Sequence, residues 1–183
     1  MSEELVIRMC APTLAGLKTG SLFSAEYQSQ ESFLEELRHL NRRLVPKGLR
    51  ALSLRFGTRH ALVYVYRPAR LNLDLKDQEA CALLSNLGYD TSHPEGCVKK
   101  LAQKLREEPE FPHEIGLLLS YPPEDVQGFM ENGAENCKAV GCWKVYGDVD
   151  RAKQIFRQYK RCTEIYCRRW QDGVPMERLT VAG

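Results

Sequence analysis

The amino-acid sequence predicts an α+β fold in which several helices pack on a small, mostly antiparallel sheet. Two observations lead to this prediction: a hairpin pattern over residues 49–67 and a later alternating segment over residues 138–146, both set among segments of helical periodicity. One hairpin and one later strand are too few for a doubly wound parallel sheet. The chain has 183 residues, the size of one ordinary domain, so we expect residues 1–183 to form a single domain.

The first predicted helix begins with a capping-box pattern, Ser32-x-x-Glu35. Pro46 and Gly48 end it, and acidic residues at its start and basic residues at its end suit the helix dipole. Its apolar residues recur at helical spacing: Phe33, Leu34, Leu37, Leu40 and Leu44.

A β-hairpin is predicted next, with its turn at residues 57–60. If Phe56 pairs with Ala61, strand alternation divides the neighbouring side chains between two faces. The expected core face holds Leu54 with Val63 and Leu52 with Val65, and the opposite face holds Tyr64 and Tyr66.

The remaining elements are predicted from periodicity and from proline and glycine positions. They are a helix around residues 80–87, a helix from Pro94 to before Pro109, short helices opened by Pro112 and Pro123, a third strand over 138–146, and a long helix from Asp148. The tail from Gln171 is expected to be irregular or to add a short edge strand around residues 179–181.

Composition restricts the classes of partner. The chain has 26 Lys and Arg against 24 Asp and Glu, and a formal net charge of +2 argues against a dedicated nucleic-acid binder. No apolar run approaches the roughly 20 residues that cross a bilayer, and acids replace the positive charge of a signal peptide at the N-terminus. We therefore expect a cytoplasmic protein with no membrane partner. Its seven cysteines, an odd and dispersed set, are expected to be reduced thiols.

The pair His113–Glu114 is the first candidate site. Pro112 at a helix start places His113 in the opening turn, where the dipole favours a neutral imidazole. Such an imidazole suits a general base, an acid partner or a metal ligand, with Glu114 orienting it. In the alternative interpretation, His113 packs locally, and the negative charge of Glu114 interacts favourably with the N-terminal end of the helix dipole.

Two further candidates lie near the start of the chain. Cys10 precedes a turn expected at Pro12, where backbone donors could lower the thiol pKa and His113 could activate it as a nucleophile. The alternative is a buried structural cysteine.

The segment 16–21 has the small residues and the lysine, Lys18, of an anion-binding loop, although it is no Walker A motif. The alternative there is a plain turn.

The predicted strand over 138–146 supplies a third candidate. Strict alternation would place Cys142, Lys144 and Tyr146 on one face and Trp143 on the other. The first face could line a pocket for an anionic or aromatic ligand; the alternative is ordinary sheet packing with an exposed lysine.

Cysteine spacing argues against a metal site. The pairs Cys137-x4-Cys142 and Cys162-x4-Cys167 place residues five apart, which point to opposite faces of a strand and diverge on a helix. Zinc ligands more often have two to four intervening residues. No metal site is therefore expected.

The last predicted helix is strongly basic. Such a face could dock an acidic protein or a nucleotide, or could simply be solvated. Its cations are Arg151, Lys153, Arg157, Lys160, Arg161, Arg168 and Arg169.

Four segments together carry a family resemblance: CAPTLAGLK, LVYVYRP, FPHEIGLLLSYPPEDVQGF and GCWKVYGD. The chain resembles the bacterial domain of unknown function 3793 family over essentially its whole length. By that resemblance, the signature segments contain Cys10, Lys18, Arg67, His113, Glu114, Tyr121, Trp143, Lys144 and Tyr146. Segments so far apart in the chain are consistent with one shared site.

The resemblance implies no established activity or cofactor. The resemblance implies redox or iron-related physiology, since the genes of relatives are often near those of flavodoxins and ferrous-iron uptake proteins. The resulting hypothesis is a small-molecule or cofactor-handling enzyme, thiol-dependent through Cys10, His113 and Glu114, with the other signature residues binding a small anionic ligand. The alternatives are a non-catalytic module for a ligand, metal or haem, and an adaptor that docks an acidic, flavodoxin-like protein through the basic last helix. The sequence does not decide between an enzyme and a binding protein.

Overall fold

The computed structural model describes residues 1–183 and has a three-stranded antiparallel sheet at its centre. The strands are β1 (Gly20–Glu26), β2 (Arg50–Phe56) and β3 (His60–Tyr66). β3 lies in the middle and pairs with both neighbours. The predicted α+β class, with a mostly antiparallel sheet, is confirmed.

Helices form most of the remaining chain. They are α1 (Glu3–Leu14), α2 (Gln30–Leu44), α3 (Pro68–Asp74), α4 (Gln78–Asn86), α5 (Pro94–Glu107), α6 (Ile115–Leu118), α7 (Pro123–Asn132), α8 (Val149–Gln171) and α9 (Met176–Leu179). A separate two-stranded hairpin pairs β4 (Ala139–Val140) with β5 (Lys144–Val145). None of the helices combines the length and apolarity needed to cross a membrane.

Both faces of the central sheet are buried. One face packs against α1, α2 and α9 in what we call the first core, and the other packs against α3–α7 in the second core. Because side chains alternate along a strand, β3 gives Val63 and Val65 to the first core and Tyr64 and Tyr66 to the second. All four are at most 3 % exposed. The sheet therefore lies between two helical layers.

The hairpin prediction is partly confirmed. Phe56 pairs with Ala61 as expected, but a β-bulge in β2 then shifts the register, so that Leu52 lies opposite Tyr64 instead of Val65. β3 divides its valines and tyrosines between two faces as predicted, but Leu52 and Leu54 lie on the side of the tyrosines instead of the valines. The idea of a single core face is wrong as well, because the two tyrosines are as deeply buried as the valines.

The predicted third strand over 138–146 is wrong. β1 completes the central sheet, and residues 138–146 instead reverse direction at Gly141 to form the β4–β5 hairpin. Gly141 lies against the ring of Phe156, where an added Cβ would come within 2.1 Å of a ring carbon. The glycine is needed for this close approach, which an uninterrupted strand would not make.

The two ends of the chain meet at α1. Ser2 caps α1, which includes Pro12 and packs along α8. The Val181 N–H donates to the Leu14 carbonyl at 3.0 Å, so the C-terminal segment closes the end of α1. The expected edge strand around 179–181 is absent, and α9 occupies part of that region.

Candidate functional site

A cavity of about 270 Å³ lies between β1, the turn before α6, α7 and the β4–β5 hairpin. We call it the aromatic pocket. Four residues predicted from the sequence line it: His113, Tyr121, Trp143 and Lys144. The other lining residues are mainly apolar: Leu22, Phe111, Ile115, Gly116, Leu119, Asp125, Val126 and Phe129.

Stacked aromatic rings form one wall of the pocket. Trp143 stacks on Tyr121 with ring centroids 4.8 Å apart and an interplanar angle of 28°. Phe156 of α8 meets Trp143 edge-on at 4.5 Å. Offset stacks and edge-to-face pairs are the favoured arrangements of aromatic rings, so this wall is rigid before any ligand arrives.

Asp125 holds this wall in place. The Trp143 Nε1–H donates to Asp125 Oδ2 at 2.6 Å, and the backbone N–H groups of Tyr146 and Gly147 donate to Oδ1 at 2.7 Å each. The carboxylate is 2 % exposed. One buried side chain of α7 therefore fixes both the tryptophan and the chain that follows β5.

His113 also lines the pocket. Its ring meets Phe129 edge-on at 4.7 Å and is 5.8 Å from Phe111. The predicted helix start at Pro112 is wrong, because the chain makes a turn there and the one-turn helix α6 begins at Ile115. His113 is exposed and is not hydrogen-bonded to Glu114.

Glu114 points away from the pocket into the second core. Its Oε1 accepts from the Tyr89 hydroxyl at 2.9 Å and from Lys104 Nζ at 2.6 Å. Burial alone would raise the pKa of this carboxyl, but the bonds from Lys104 and Tyr89 outweigh burial and lower it. The structure thus gives Glu114 a structural ion pair, and the predicted orienting contact with His113 is not formed.

Replacing Glu114 by glutamine should destabilise the protein most near neutral pH. The folded pKa lies below the ordinary value of 4.5, so the carboxylate stabilises the fold above that value and ceases to do so as the pH falls through the folded pKa. We expect a loss of about 2 kcal/mol at neutral pH, less than for a fully buried pair because Lys104 is partly exposed.

Urea denaturation of the wild type and the Glu114→Gln variant across the acidic range measures this loss. Glu108→Gln is the control, since Glu108 is exposed and lies 3.9 Å from the same ammonium. We expect it to cost less than about 0.5 kcal/mol. A wild-type advantage that stays constant as the pH falls would contradict this assignment.

Cys10 lies apart from the aromatic pocket. It is inside α1, which continues through Pro12 where the sequence predicted a turn, and it is 0 % exposed in the first core. The pocket opens on the second-core side of the sheet, through Leu22. Burial raises the pKa of the Cys10 thiol to about 12, in spite of the nearby Lys18 ammonium. The structure therefore does not bring Cys10 to His113.

Lys18 lies behind the aromatic wall. Its Nζ is 5.3 Å from the ring centroid of Tyr121 and 5.9 Å from that of Tyr159. No carboxylate pairs with it, and burial lowers the pKa of the ammonium. In the segment 16–21, Gly20 and Ser21 begin β1, the backbone N–H groups of residues 16–19 donate to oxygens of the protein, and Lys18 makes cation–π contacts.

Arg67 is held by the backbone. Its Nε donates to the Thr13 carbonyl at 2.7 Å, and Nη2 donates to the carbonyls of Leu14 and Val181 at 2.8 and 2.7 Å. The residue is 3 % exposed. Arg67 therefore joins the end of α1 to the C-terminal segment, and its donors face protein carbonyls.

Tyr146 does not line the pocket either. Its hydroxyl donates to the Gly133 carbonyl at 2.6 Å, and its ring lies against Gly128 of α7. The predicted common face of Cys142, Lys144 and Tyr146 is wrong, because Cys142 is at the exposed tip of the hairpin. Of that set, Lys144 alone enters the pocket.

Eight of the twelve lining residues were not predicted from the sequence. Among them, Asp125 and Phe129 make the most specific contacts, a hydrogen bond to Trp143 and an edge-on contact with His113. The spacing of four residues between Asp125 and Phe129 is the sequence pattern that could have indicated them, since it places both on one face of α7.

The fold and this site define an α+β protein with a small aromatic pocket and one buried carboxylate that shapes it. A family model described as "Protein of unknown function (DUF3793)" matches residues 6–180, so the chain belongs to that family. The resemblance inferred from the four sequence segments is confirmed. No curated protein and no solved structure matches the chain significantly.

Proposed function

We propose that the protein binds a small molecule with a flat apolar body and one anionic group in the aromatic pocket. The observation that carries the proposal is the ammonium of Lys144. It lies at the pocket, 5.6 Å from the ring centroid of Phe129, and makes no hydrogen bond or ion pair. A cation at an apolar cavity without a protein partner is suited to an anionic ligand.

The residues that line the pocket indicate the polarity and size of the ligand. The rings of Trp143, Tyr121 and Phe129 line the cavity together with aliphatic side chains, so an apolar, aromatic ligand has an extended apolar surface to contact. A volume of about 270 Å³ lies near the lower end of ligand sites, which are about 300 Å³ and larger. A ligand of one or two rings fits this volume.

The charges of the pocket favour a carboxylate or a similar anion. Asp125 is the one acid among the lining residues, and both of its oxygens accept hydrogen bonds from the protein. Lys144 therefore supplies the free charge, and the imidazole of His113 supplies a second polar group. Because the ammonium lies against an aromatic ring, its bond to an anion is only partly weakened by water.

Binding is better supported than thiol catalysis. The pocket has no cysteine among its lining residues, and Cys10 and Glu114 are engaged in the two cores.

We also infer a cytoplasmic location. All seven cysteines are free thiols, as a reducing compartment allows.

Tryptophan fluorescence tests the proposal. In a Trp170→Phe background, Trp143 is the sole tryptophan and reports on the pocket. We expect 1-naphthoate to change its emission and to bind at least about tenfold more tightly than the neutral 1-naphthalenemethanol, since a charge-assisted bond contributes about 1.5–3 kcal/mol.

Lys144→Gln should abolish that preference and leave the alcohol's affinity unchanged. Lys138→Gln is the matched control, because Lys138 is in the same segment but outside the pocket. Failure of both naphthalenes to bind the wild type, or a preference that survives Lys144→Gln, would reject the proposed function.

A further inference from the structure

The exposed face of α8 concentrates positive charge. Five cations lie within about 100° of the helix circumference, and one acid, Glu164, lies among them. All five are exposed, and none forms an ion pair. We call this set the basic face: Lys153, Arg157, Lys160, Arg161 and Arg168.

This arrangement is unfavourable for the isolated helix. Arg157 lies four residues from both Lys153 and Arg161, and like charges at that spacing destabilise a helix. The basic face also cannot turn away from solvent, because Ala152, Tyr159 and Cys162 anchor the opposite side of α8 in the protein. A negatively charged surface would relieve the repulsion.

An apolar residue lies at the edge of the basic face. Ile165 is 49 % exposed, and its neighbours on the helix surface are Arg161 at i−4, Arg168 at i+3 and Arg169 at i+4. An apolar side chain surrounded by arginines is typical of protein interfaces, in which arginine is enriched and a few buried side chains contribute most of the affinity.

α8 lacks the features by which proteins bind two other anionic partners, single-stranded nucleic acids and membranes. Single-stranded nucleic acid is bound by cations together with exposed aromatic rings, and no aromatic residue of α8 is exposed. An anionic membrane surface requires a broad apolar face beside the cations, and here Ile165 is the single exposed large apolar residue of α8.

We propose that the basic face and Ile165 dock an acidic surface of a partner protein. The arginines from Arg157 to Arg168 span about 17 Å along the helix, at 1.5 Å per residue. The partner is expected to present carboxylates over a similar length, with an apolar residue opposite Ile165. This docking surface is separate from the aromatic pocket and does not depend on a ligand there.

The probe is a fluorescein-labelled helical peptide with glutamates along one face and a leucine among them. We expect fluorescence anisotropy to show salt-sensitive binding. Arg161→Glu with Arg168→Glu should weaken it at least about tenfold, because charge reversal replaces attraction by repulsion. Arg38→Glu with Arg42→Glu makes the same charge change at exposed positions of α2 and should alter affinity less than about twofold.

Ile165→Ser should weaken binding without changing its salt dependence, since it removes an apolar contact and no charge. Circular dichroism of each variant confirms that α8 is intact. Equal losses in the two charge-reversed proteins would show non-specific attraction and overturn the proposal. So would absence of peptide binding, or tighter binding of a single-stranded oligonucleotide or of phosphatidylserine vesicles that requires Arg161 and Arg168.

Discussion

Asp125→Ala is expected to lower the free energy of unfolding by about 4 kcal/mol and to abolish ligand binding in the aromatic pocket. The substitution leaves three donors without their acceptor: the indole N–H of Trp143 and the backbone N–H groups of Tyr146 and Gly147. Each unsatisfied buried donor costs about 1–3 kcal/mol, and partial access of water to the Tyr146 and Gly147 groups reduces the sum.

Asp125→Asn is the matched control. The amide oxygen can still accept from the two backbone N–H groups, but its NH₂ group then faces the Trp143 N–H, and two donors cannot bond. We expect a loss of about 1–2 kcal/mol and weakened ligand binding. Urea denaturation and the Trp143 fluorescence assay measure the two effects. An alanine variant as stable as the asparagine variant would contradict the role assigned to this carboxylate.

Arg67→Met is expected to destabilise the protein by about 3 kcal/mol without affecting the pocket. Methionine fills much of the same volume but leaves the carbonyls of Thr13, Leu14 and Val181 without the donors that Arg67 provides. The Leu14 carbonyl keeps one bond, from the Val181 N–H, which limits the loss.

Denaturation with urea again supplies the measurement for Arg67→Met. Arg59→Met is its control, because Arg59 is exposed in the β2–β3 turn and its side chain makes no hydrogen bond; we expect a change within about 0.5 kcal/mol. If both substitutions cost the same, Arg67 does not stabilise the end of α1. If Arg67→Met abolished naphthoate binding in a folded protein, Arg67 would belong to the ligand site after all.

Local sequence patterns, such as caps, turns and apolar periodicity, predicted the helices and strands that depend mainly on neighbouring residues. The helix from the Ser32 region to Leu44 and the hairpin around residues 57–60 match α2, β2 and β3 closely. β1 was missed because its alternation of buried and exposed residues covers only Phe23 to Glu26, and its first residues, Gly20 and Ser21, carry no apolar signal. α1 was missed because Pro12 suggested a turn, although the structure keeps it within the helix.

The sequence predicted some residues of the aromatic pocket but not which of the candidate residues lie together. His113 and Lys144 were selected for their chemistry, Tyr121 and Trp143 were selected through the family resemblance, and all four line one pocket. Cys10 and Glu114 were also selected for their chemistry, but their environment is decided by long-range packing. The side of the sheet on which Cys10 lies, and the pairing of Glu114 with Lys104, depend on the three-dimensional arrangement and have no local sequence signal.

The closure of α1 by the C-terminal segment has a consequence for protein synthesis. α1 is translated well before α8, α9 and the Val181 N–H that complete its environment. Contacts between such distant parts of a chain form late. The side of α1 that packs along α8 therefore stays uncovered until α8 is translated, and a nascent chain stalled before α8 is expected to be a substrate for chaperones.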